Sequence, residues 1–253
     1  MRLGQNFLAD PNLLDAIVRE AEVEPDDVVL EVGGGEGVLS ERLAGVARTV
    51  HVVELDEGLR PGLEEIADRE PAVLLVFGDA LRVDLAALRP PPSAMVANLP
   101  YSIATPLILR TIEELPGLRR WTVMVQREIA DRLRAVPRTK AYGSPSVLAQ
   151  LACRVEMLRA VDAAVFKPRP RVGSALIRLE RVAPWPGEAV ASLVRAAFAH
   201  RRKALARSVS MAGVASRERV LAALEERGLS ATARAEELAP QEFVSLAGVL
   251  FSP

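Results

Sequence analysis

The sequence predicts a doubly wound α/β domain followed by a small helical domain. Three observations predict it. Short apolar runs alternate with amphipathic stretches over the first two-thirds of the 253 residues. A Pro/Gly break, APWPGE, follows at 183–188. Beyond it the pattern is helical to the end. The runs VVLEV (28–32), TVHVVEL (49–55), AVLLVF (72–77), SAMVAN (93–98) and WTVMVQ (121–126) read as strands. The amphipathic stretches near 38–46, 57–69, 80–88 and 104–114 read as the crossover helices of a parallel sheet. RVEMLRAV (154–161) and SALIRLER (174–181) are close in sequence, separated by the proline-bearing FKPRPRV, and are expected as an antiparallel pair at the sheet edge. Three helices follow, over 188–209, 216–228 and 240–250, with Gly228 and Pro240 as stop and start signals. The expected domains are 1–182 and 183–253.

Half of the residues are apolar, enough for a full core with a small accessory domain. No run of eighteen apolar residues occurs, so no membrane span is expected. The segment MRLGQNFLADP has no long apolar stretch, so no secretory leader is expected. The single cysteine, Cys153, excludes an internal disulfide, and His51 and His200 are too isolated for a metal centre, so no metal is expected. A cytoplasmic enzyme fits these features.

The net charge of −1 conceals an asymmetry. Residues 1–70 hold 6 Lys/Arg and 17 Asp/Glu, a net of −11; residues 115–207 hold 19 Lys/Arg and 6 Asp/Glu, a net of +13. Such a split fits a polyanion-binding face, and it also fits ordinary solvated helix faces.

The first strand runs into EVGGGEG at 31–37, where Gly33, Gly35 and Gly37 allow a tight turn and close approach of a ligand. A helix start follows, with its amides directed at the same crevice. The second strand ends at Glu54, where a carboxylate can accept two ribose hydroxyls. The third is followed by Gly78-Asp79-Ala80, and Asp79 can accept from the amino group of a base. Gly33, Gly35, Glu54, Asp79 and Ala80 are thus candidate cofactor contacts. A glycine turn alone is equally compatible with a plain strand–helix connection. The spacing does not by itself separate NAD from S-adenosylmethionine, though EVGGGEG is closer to the methyltransferase type.

The fourth strand ends in Asn98-Leu99-Pro100-Tyr101. The N6 amine of adenine is a poor nucleophile because its lone pair is delocalised into the ring. The Asn98 oxygen and the Leu99 carbonyl can accept both N6–H bonds and localise that pair towards a sulfonium methyl. Pro100 fixes the backbone, and Tyr101 offers a face for stacking an unstacked base. Phe166 is either the opposite wall of such a pocket or a core aromatic beneath an edge loop. Lys167, Arg169 and Arg171 flank it and favour a phosphate-facing loop. Arg201, Arg202 and Lys203, with Arg195 and Arg207, are expected on one long helix as further phosphate contacts or as a solvated face.

At this point the sequence resembles the ribosomal RNA adenine N6-dimethyltransferases, in the branch acting on the small subunit. The resemblance spans essentially the whole chain. It rests on GQNFL (4–8), EVGGGEG (31–37), VELD (53–56), GDA (78–80), NLPY (98–101), VQREIADRL (125–133), TKAYG (139–143), FKPRPRVGSA (166–175) and AFAHRRKAL (197–205). It implies a Rossmann-like, S-adenosylmethionine-dependent methyltransferase sheet with a helical, RNA-binding C-terminal domain. It implies transfer of four methyl groups to two adjacent adenosines in the 3′-terminal hairpin of small-subunit (16S) rRNA, and a role in late small-subunit assembly. The implied partner is the pre-30S particle, met by a monomer. Asn6, with Gln5 beside it, and Leu8 are implied to reach the cofactor from a closing N-terminal segment, and Asn98 to contact it as well. The chain departs from the family pattern at Gly34, where proline is usual. It departs again at Ser144 and Pro145, where a basic residue and leucine are common, and at Gly173, where an acidic residue is frequent. Two other readings stand beside this one. The large-subunit, macrolide-resistance branch shares GQNF and the Asn-x-Pro-Tyr turn, but VQREIADRL and AFAHRRKAL favour the small-subunit branch. A non-catalytic assembly factor is opposed by intact Glu54, Asp79, Asn98 and Tyr101.

Overall fold

The computed structural model describes residues 7–8 and 10–251. A short strand β1 (Phe7–Leu8) is followed by α1 (Pro11–Ala21), β2 (Val28–Val32), α2 (Val38–Ala44), β3 (Thr49–Glu54), α3 (Arg60–Arg69) and β4 (Val73–Phe77). Then come β5 (Ala94–Asn98), α4 (Ala104–Glu114), β6 (Arg120–Gln126), α5 (Arg127–Leu133) and α6 (Ser144–Ala152). The last strands are β7 (Cys153–Val161), β8 (Phe166–Lys167) and β9 (Ser174–Arg181). The chain ends in α7 (Glu188–Ala199), α8 (Leu205–Met211), α9 (Arg217–Glu226) and α10 (Pro240–Leu250). Caps set the starts of several helices. The Asp10 carboxylate accepts from the N–H groups of Asn12 and Leu13, with Pro11 opening α1. The Ser216 hydroxyl accepts from Arg219 N–H ahead of α9. Glu242 reaches back to Ala239 N–H ahead of α10.

Seven strands form one sheet in the order β4-β3-β2-β5-β6-β9-β7. The pairs β3–β4, β2–β3, β2–β5 and β5–β6 are parallel, and β9 runs antiparallel to β6. The two strands expected as a pair at the sheet edge, 154–161 and 174–181, are neighbours at that edge, with β9 between β6 and the outermost strand β7. One face of the sheet, with Val29, Val50, Val52, Val96 and Met124, packs on Leu13, Leu14 and Ile17 of α1, Leu39 and Leu43 of α2 and Leu63 and Ile66 of α3. On the other face Trp121 is fully buried and its Nε1–H donates to Thr111 Oγ1 of α4 at 2.9 Å. The order reverses direction between β2 and β5, so the loops leaving these two strands diverge and open a crevice at their carboxyl ends.

Residues 80–88, expected as a crossover helix, hold only a single turn at Leu85–Ala87. Asp79 accepts from Leu81 N–H and Asp84 from the N–H groups of Ala86 and Ala87. These local bonds take donors that a helix would have used, and three consecutive prolines, 90–92, follow at once. Helices α5 and α6 occupy a stretch for which the sequence predicted no element.

The chain divides into two compact units, residues 1–130 with 155–181 and residues 131–154 with 182–253. The last crossing between the units lies at 181–182, and residues 131–154, expected in the first domain, cluster with the C-terminal helices. Within that second unit Tyr142 is buried and its hydroxyl donates to Leu238 O at 2.8 Å, fixing the segment to the C-terminal part. The expected long helix over 188–209 is broken into α7 and α8. Fully buried Ser208 holds the break: its hydroxyl donates to Ala196 O at 2.7 Å and accepts from His200 N–H at 3.1 Å. Arg201, Arg202 and Lys203 consequently lie on a turn, not on a helix face. Among the described residues no helix is long and apolar enough to cross a membrane.

Ser208→Ala leaves a buried carbonyl and an amide without their shared partner, which should cost the helical unit about 1–3 kcal/mol. A fall in the urea midpoint followed by helical circular dichroism checks this; an unchanged midpoint would contradict the assigned role.

Candidate functional site

The carboxyl ends of β2, β3, β4 and β5 deliver their loops to one cavity of about 260 Å³. The turn after β2 passes close to the turn after β5. Gly33 has φ 82°, and a Cβ there would lie 3.4 Å from Pro100 Cδ and 3.7 Å from Asn98 O. A side chain at 33 would thus be both strained and driven towards the Asn98–Tyr101 turn. Gly34 answers a different need. A Cβ at 34 would come within 2.4 Å of Val52 Cγ1, so Val52 fills the space that a proline at this position would claim.

Glu54, 5 % exposed, ties the loops together. Its Oε1 accepts from Leu55 N–H and Asp56 N–H, each at 2.8 Å, and its Oε2 accepts from Gly35 N–H at 3.0 Å. A carboxylate offers about four in-plane acceptor positions. Three are used, so one position on Oε2 remains for a ligand hydroxyl, where the sequence suggested two. Gly78 N–H donates to Glu54 O at 2.8 Å, which binds the end of β4 to the end of β3. Asp79 Oδ1 accepts from Leu81 N–H at 2.9 Å, and Arg82 lies 3.6 Å from Oδ2. From α4, Arg110 donates to Ala80 O at 2.8 Å and to Val83 O at 3.0 Å, fixing the loop that presents Asp79.

Leu8, Gly33, Gly35, Glu54, Asp79, Ala80, Asn98, Leu99, Pro100 and Tyr101 all line the cavity, so the sequence candidates on the strand ends converge. Leu99 N–H donates to Met124 O at 3.0 Å and Ile103 N–H to Pro100 O at 3.1 Å, which fixes the turn. The Tyr101 hydroxyl is bonded to Ser174 Oγ at 2.7 Å, holding the ring by its far end. Leu8 enters through the β1–β8 pair, opposite Phe166. Asn6 and Gln5 lie outside the described residues.

Phe166 is not brought into the cavity. It is 2 % exposed and packs in the core cluster with Leu8, Met124, Val161 and Leu176, so of its two readings the structure takes the core aromatic. Lys167, Arg169 and Arg171 are exposed, with Arg169 3.7 Å from Asp162. In the second unit Arg195 pairs with Glu188 at 3.0 Å and Arg201 with Glu236 at 2.8 Å. Arg202 and Lys203 are exposed and have no side-chain partner among the described residues.

Among the cavity residues that the sequence did not single out, two matter most for the site. Leu55 follows Glu54 and is 51 % exposed, an apolar surface at the rim. Glu31 is 1 % exposed, lines the cavity and accepts from Ser40 Oγ at 2.6 Å. An acid inside the otherwise apolar run VVLEV was the available signal. Burial pushes the Glu31 carboxyl up to about 8; the Ser40 hydroxyl opposes this and the charge of Glu54 adds to it.

A doubly wound sheet carrying a glycine turn, a strand-end acid and an Asn-Leu-Pro-Tyr turn in one crevice defines a Rossmann-like methyltransferase. The chain belongs to the ribosomal RNA adenine dimethylase family, whose model matches residues 1–250. A ribosomal RNA small subunit methyltransferase A of Rubrobacter xylanophilus is 46 % identical over 247 residues, 97 % of this chain and 92 % of that protein. Among solved structures, a dimethyladenosine transferase from Plasmodium falciparum shares the fold with a TM-score of 0.79, at 24 % identity over 95 % of each chain. The 23S rRNA methyltransferase ErmE matches with a TM-score of 0.67 and 31 % identity, over 98 % of this chain and 100 % of that one.

Glu31 gives the site a pH signature. Its carboxyl titrates at about 8 in the folded chain against an ordinary value of 4.5. Between these values the folded chain keeps a proton that the unfolded chain has lost, so this group lowers stability as pH rises from about 4.5 to about 8. Glu31→Gln should therefore gain in urea midpoint over the parent as the pH is raised through that window. A difference that stays flat with pH would contradict a buried, protonated Glu31.

Proposed function

We propose that this chain transfers methyl groups from S-adenosylmethionine to the N6 amines of two adjacent adenosines in the 3′-terminal hairpin of small-subunit rRNA, leaving N6,N6-dimethyladenosine. The observation that carries this reading is the convergence of Glu54, Asp79 and the Asn98–Tyr101 turn on one cavity. Membership of the adenine dimethylase family supports it. The greater identity to the small-subunit relative than to ErmE, 46 % against 31 %, favours the small-subunit substrate.

The residues present fit the cofactor. The open position on Glu54 Oε2 suits a ribose hydroxyl, Asp79 suits an adenine amino group, and the bare backbone at Gly33 leaves room beside Pro100 that a Cβ would occupy. Bound S-adenosylmethionine supplies a methyl group on a sulfonium, an electrophile that needs no metal and no covalent enzyme intermediate. The work of the chain is positioning. The Asn98 side-chain oxygen and the Leu99 carbonyl accept from the target N6–H groups and turn the nitrogen lone pair out of conjugation. Tyr101, held by Ser174, offers its ring face to a base taken out of its stack. With the cofactor bound, transfer would exchange its S–CH₃ bond for an N–CH₃ bond on the amine held by Asn98 and Leu99, and the amine proton would leave to solvent. The second transfer has one N–H fewer, so Asn98 and Leu99 cannot both require a hydrogen in that round.

Lys167, Arg169, Arg171, Arg202 and Lys203 supply phosphate contacts, with Arg201 partly offset by Glu236. Binding energy from such contacts can hold the adenine against the reacting methyl. In this reading the enzyme is cytoplasmic, works as a monomer on a pre-30S particle, and takes part in late subunit assembly.

Unmethylated small subunits, unmethylated large subunits and a free hairpin oligonucleotide, each incubated with the protein and digested for mass spectrometry, test the substrate. N6,N6-dimethyladenosine should form in small subunits. Preferential product in large subunits would transfer the function to the resistance-type branch, and strong labelling of the free oligonucleotide would remove the need for a particle. Asn98→Ala should slow single-turnover transfer on the order of 100-fold, as loss of a positioned polar group does elsewhere. RNA affinity should change little, and cofactor affinity must be measured alongside. A near-parental rate at saturating cofactor would reject the role of Asn98.

A further inference from the structure

We propose that residues 134–140 are a second phosphate-contact surface for the RNA, joined through Arg201 to the 200–203 turn. The proposal rests on the reading that this chain binds ribosomal RNA. Between α5 and α6, Arg134, Val136, Arg138, Thr139 and Lys140 are exposed, while Leu133, Ala135 and Tyr142 are buried beneath them. Arg134, Arg138 and Lys140 have no carboxylate partner among the described residues. Three bare cations within seven residues repel one another, and that repulsion is relieved when a polyanion binds.

The backbone beneath them is held in place. Arg138 has φ 69°, an uncommon conformation for a residue with a side chain, and its N–H donates to Glu236 O at 2.7 Å. The Thr139 hydroxyl donates to Val136 O at 2.7 Å, and Tyr142 N–H donates to Thr139 O at 3.2 Å. The Arg201 guanidinium spans the two segments: its Nε donates to the Glu236 carboxylate at 2.8 Å and its Nη2 to Thr139 O at 3.3 Å. Arg201 therefore neutralises Glu236 and attaches the loop to the turn that carries Arg202 and Lys203. Arg134, Arg138, Lys140, Arg202 and Lys203 then remain as uncompensated cations on one hydrogen-bonded scaffold.

The chemistry favours a phosphate backbone over an acidic protein. The patch carries no exposed aromatic or amide side chain with which to read a base edge, and long cations on a fixed backbone bind phosphates without regard to sequence. Protein interfaces are anchored by buried apolar or aromatic residues, and the apolar side chains that this loop exposes are Val136, 58 % exposed, and the small Ala141.

The test is the salt dependence of binding to small-subunit particles and to naked small-subunit RNA. The variant is the full-length protein with Arg134→Gln, Arg138→Asn and Lys140→Gln; asparagine tolerates the left-handed conformation at 138. Removing one cation from a phosphate should lower the log–log salt slope by about 1, so the three substitutions together should lower it by about 3. Calorimetric affinity for S-adenosylmethionine should stay unchanged. The companion variant Arg134→Lys with Lys140→Arg keeps the charge and should keep the parental slope. A parental protein that binds neither RNA nor particle would overturn the functional reading itself. A parent with a steep slope and a triple variant with the same slope would overturn only the proposal. A weakening on intact particles with none on naked RNA would reassign the patch to a protein partner and overturn it as well.

Discussion

The Glu54 carboxylate is the constraint on which the site depends. It is buried at the end of β3 and accepts three backbone N–H groups, from Gly35 in the loop after β2 and from Leu55 and Asp56 in its own loop. These three bonds are part-buried, and a hydrogen bond to a charged acceptor contributes about 1.5–3 kcal/mol where it is sheltered from water. One side chain thus positions the glycine turn, its own loop and, through its backbone carbonyl, Gly78 ahead of Asp79. The site is preorganised because one anion satisfies several donors that diverging loops leave open.

The same crevice sets a limit on packing. Gly33 brings its backbone beside Pro100, and Gly34 leaves room for Val52. The departure from proline at 34 is thereby matched within the core, where the Val52 methyl occupies the space. Leu99, 1 % exposed, anchors the target-base turn in the core, so the acceptors at 98 and 99 rest on packed structure.

Much of the first unit was legible in the sequence because local and tertiary signals agree there. VVLEV and SALIRLER are strands with the expected ends, and the Asn98–Tyr101 turn falls at a strand end as its spacing required. What was not legible depends on partners distant in sequence. Residues 188–209 have unbroken helical periodicity, and only the double hydrogen bond of Ser208 to Ala196 and His200 reveals the break. Phe166 sits among charges in FKPRPRV, yet its ring is buried against Leu8 and Met124 from other elements. Glu31 read as one polar residue in a strand, and its role at the cavity follows from the strand order that sets β2 between β3 and β5. The charge asymmetry was visible by counting, but its arrangement was not: ion pairs with Glu188 and Glu236 offset Arg195 and Arg201, while Arg202 and Lys203 stay exposed.

Amide hydrogen exchange and calorimetry on Glu54→Gln test whether Glu54 organises the glycine turn and the cofactor site together. The glutamine oxygen can still accept from Leu55 and Asp56, but its NH₂ group would face the Gly35 N–H, donor against donor. Faster exchange at Gly35, retained protection at Leu55 and Asp56, and S-adenosylmethionine affinity weaker by about 1–3 kcal/mol are expected. Parental exchange at Gly35 together with parental affinity in a folded variant would contradict that role of Glu54.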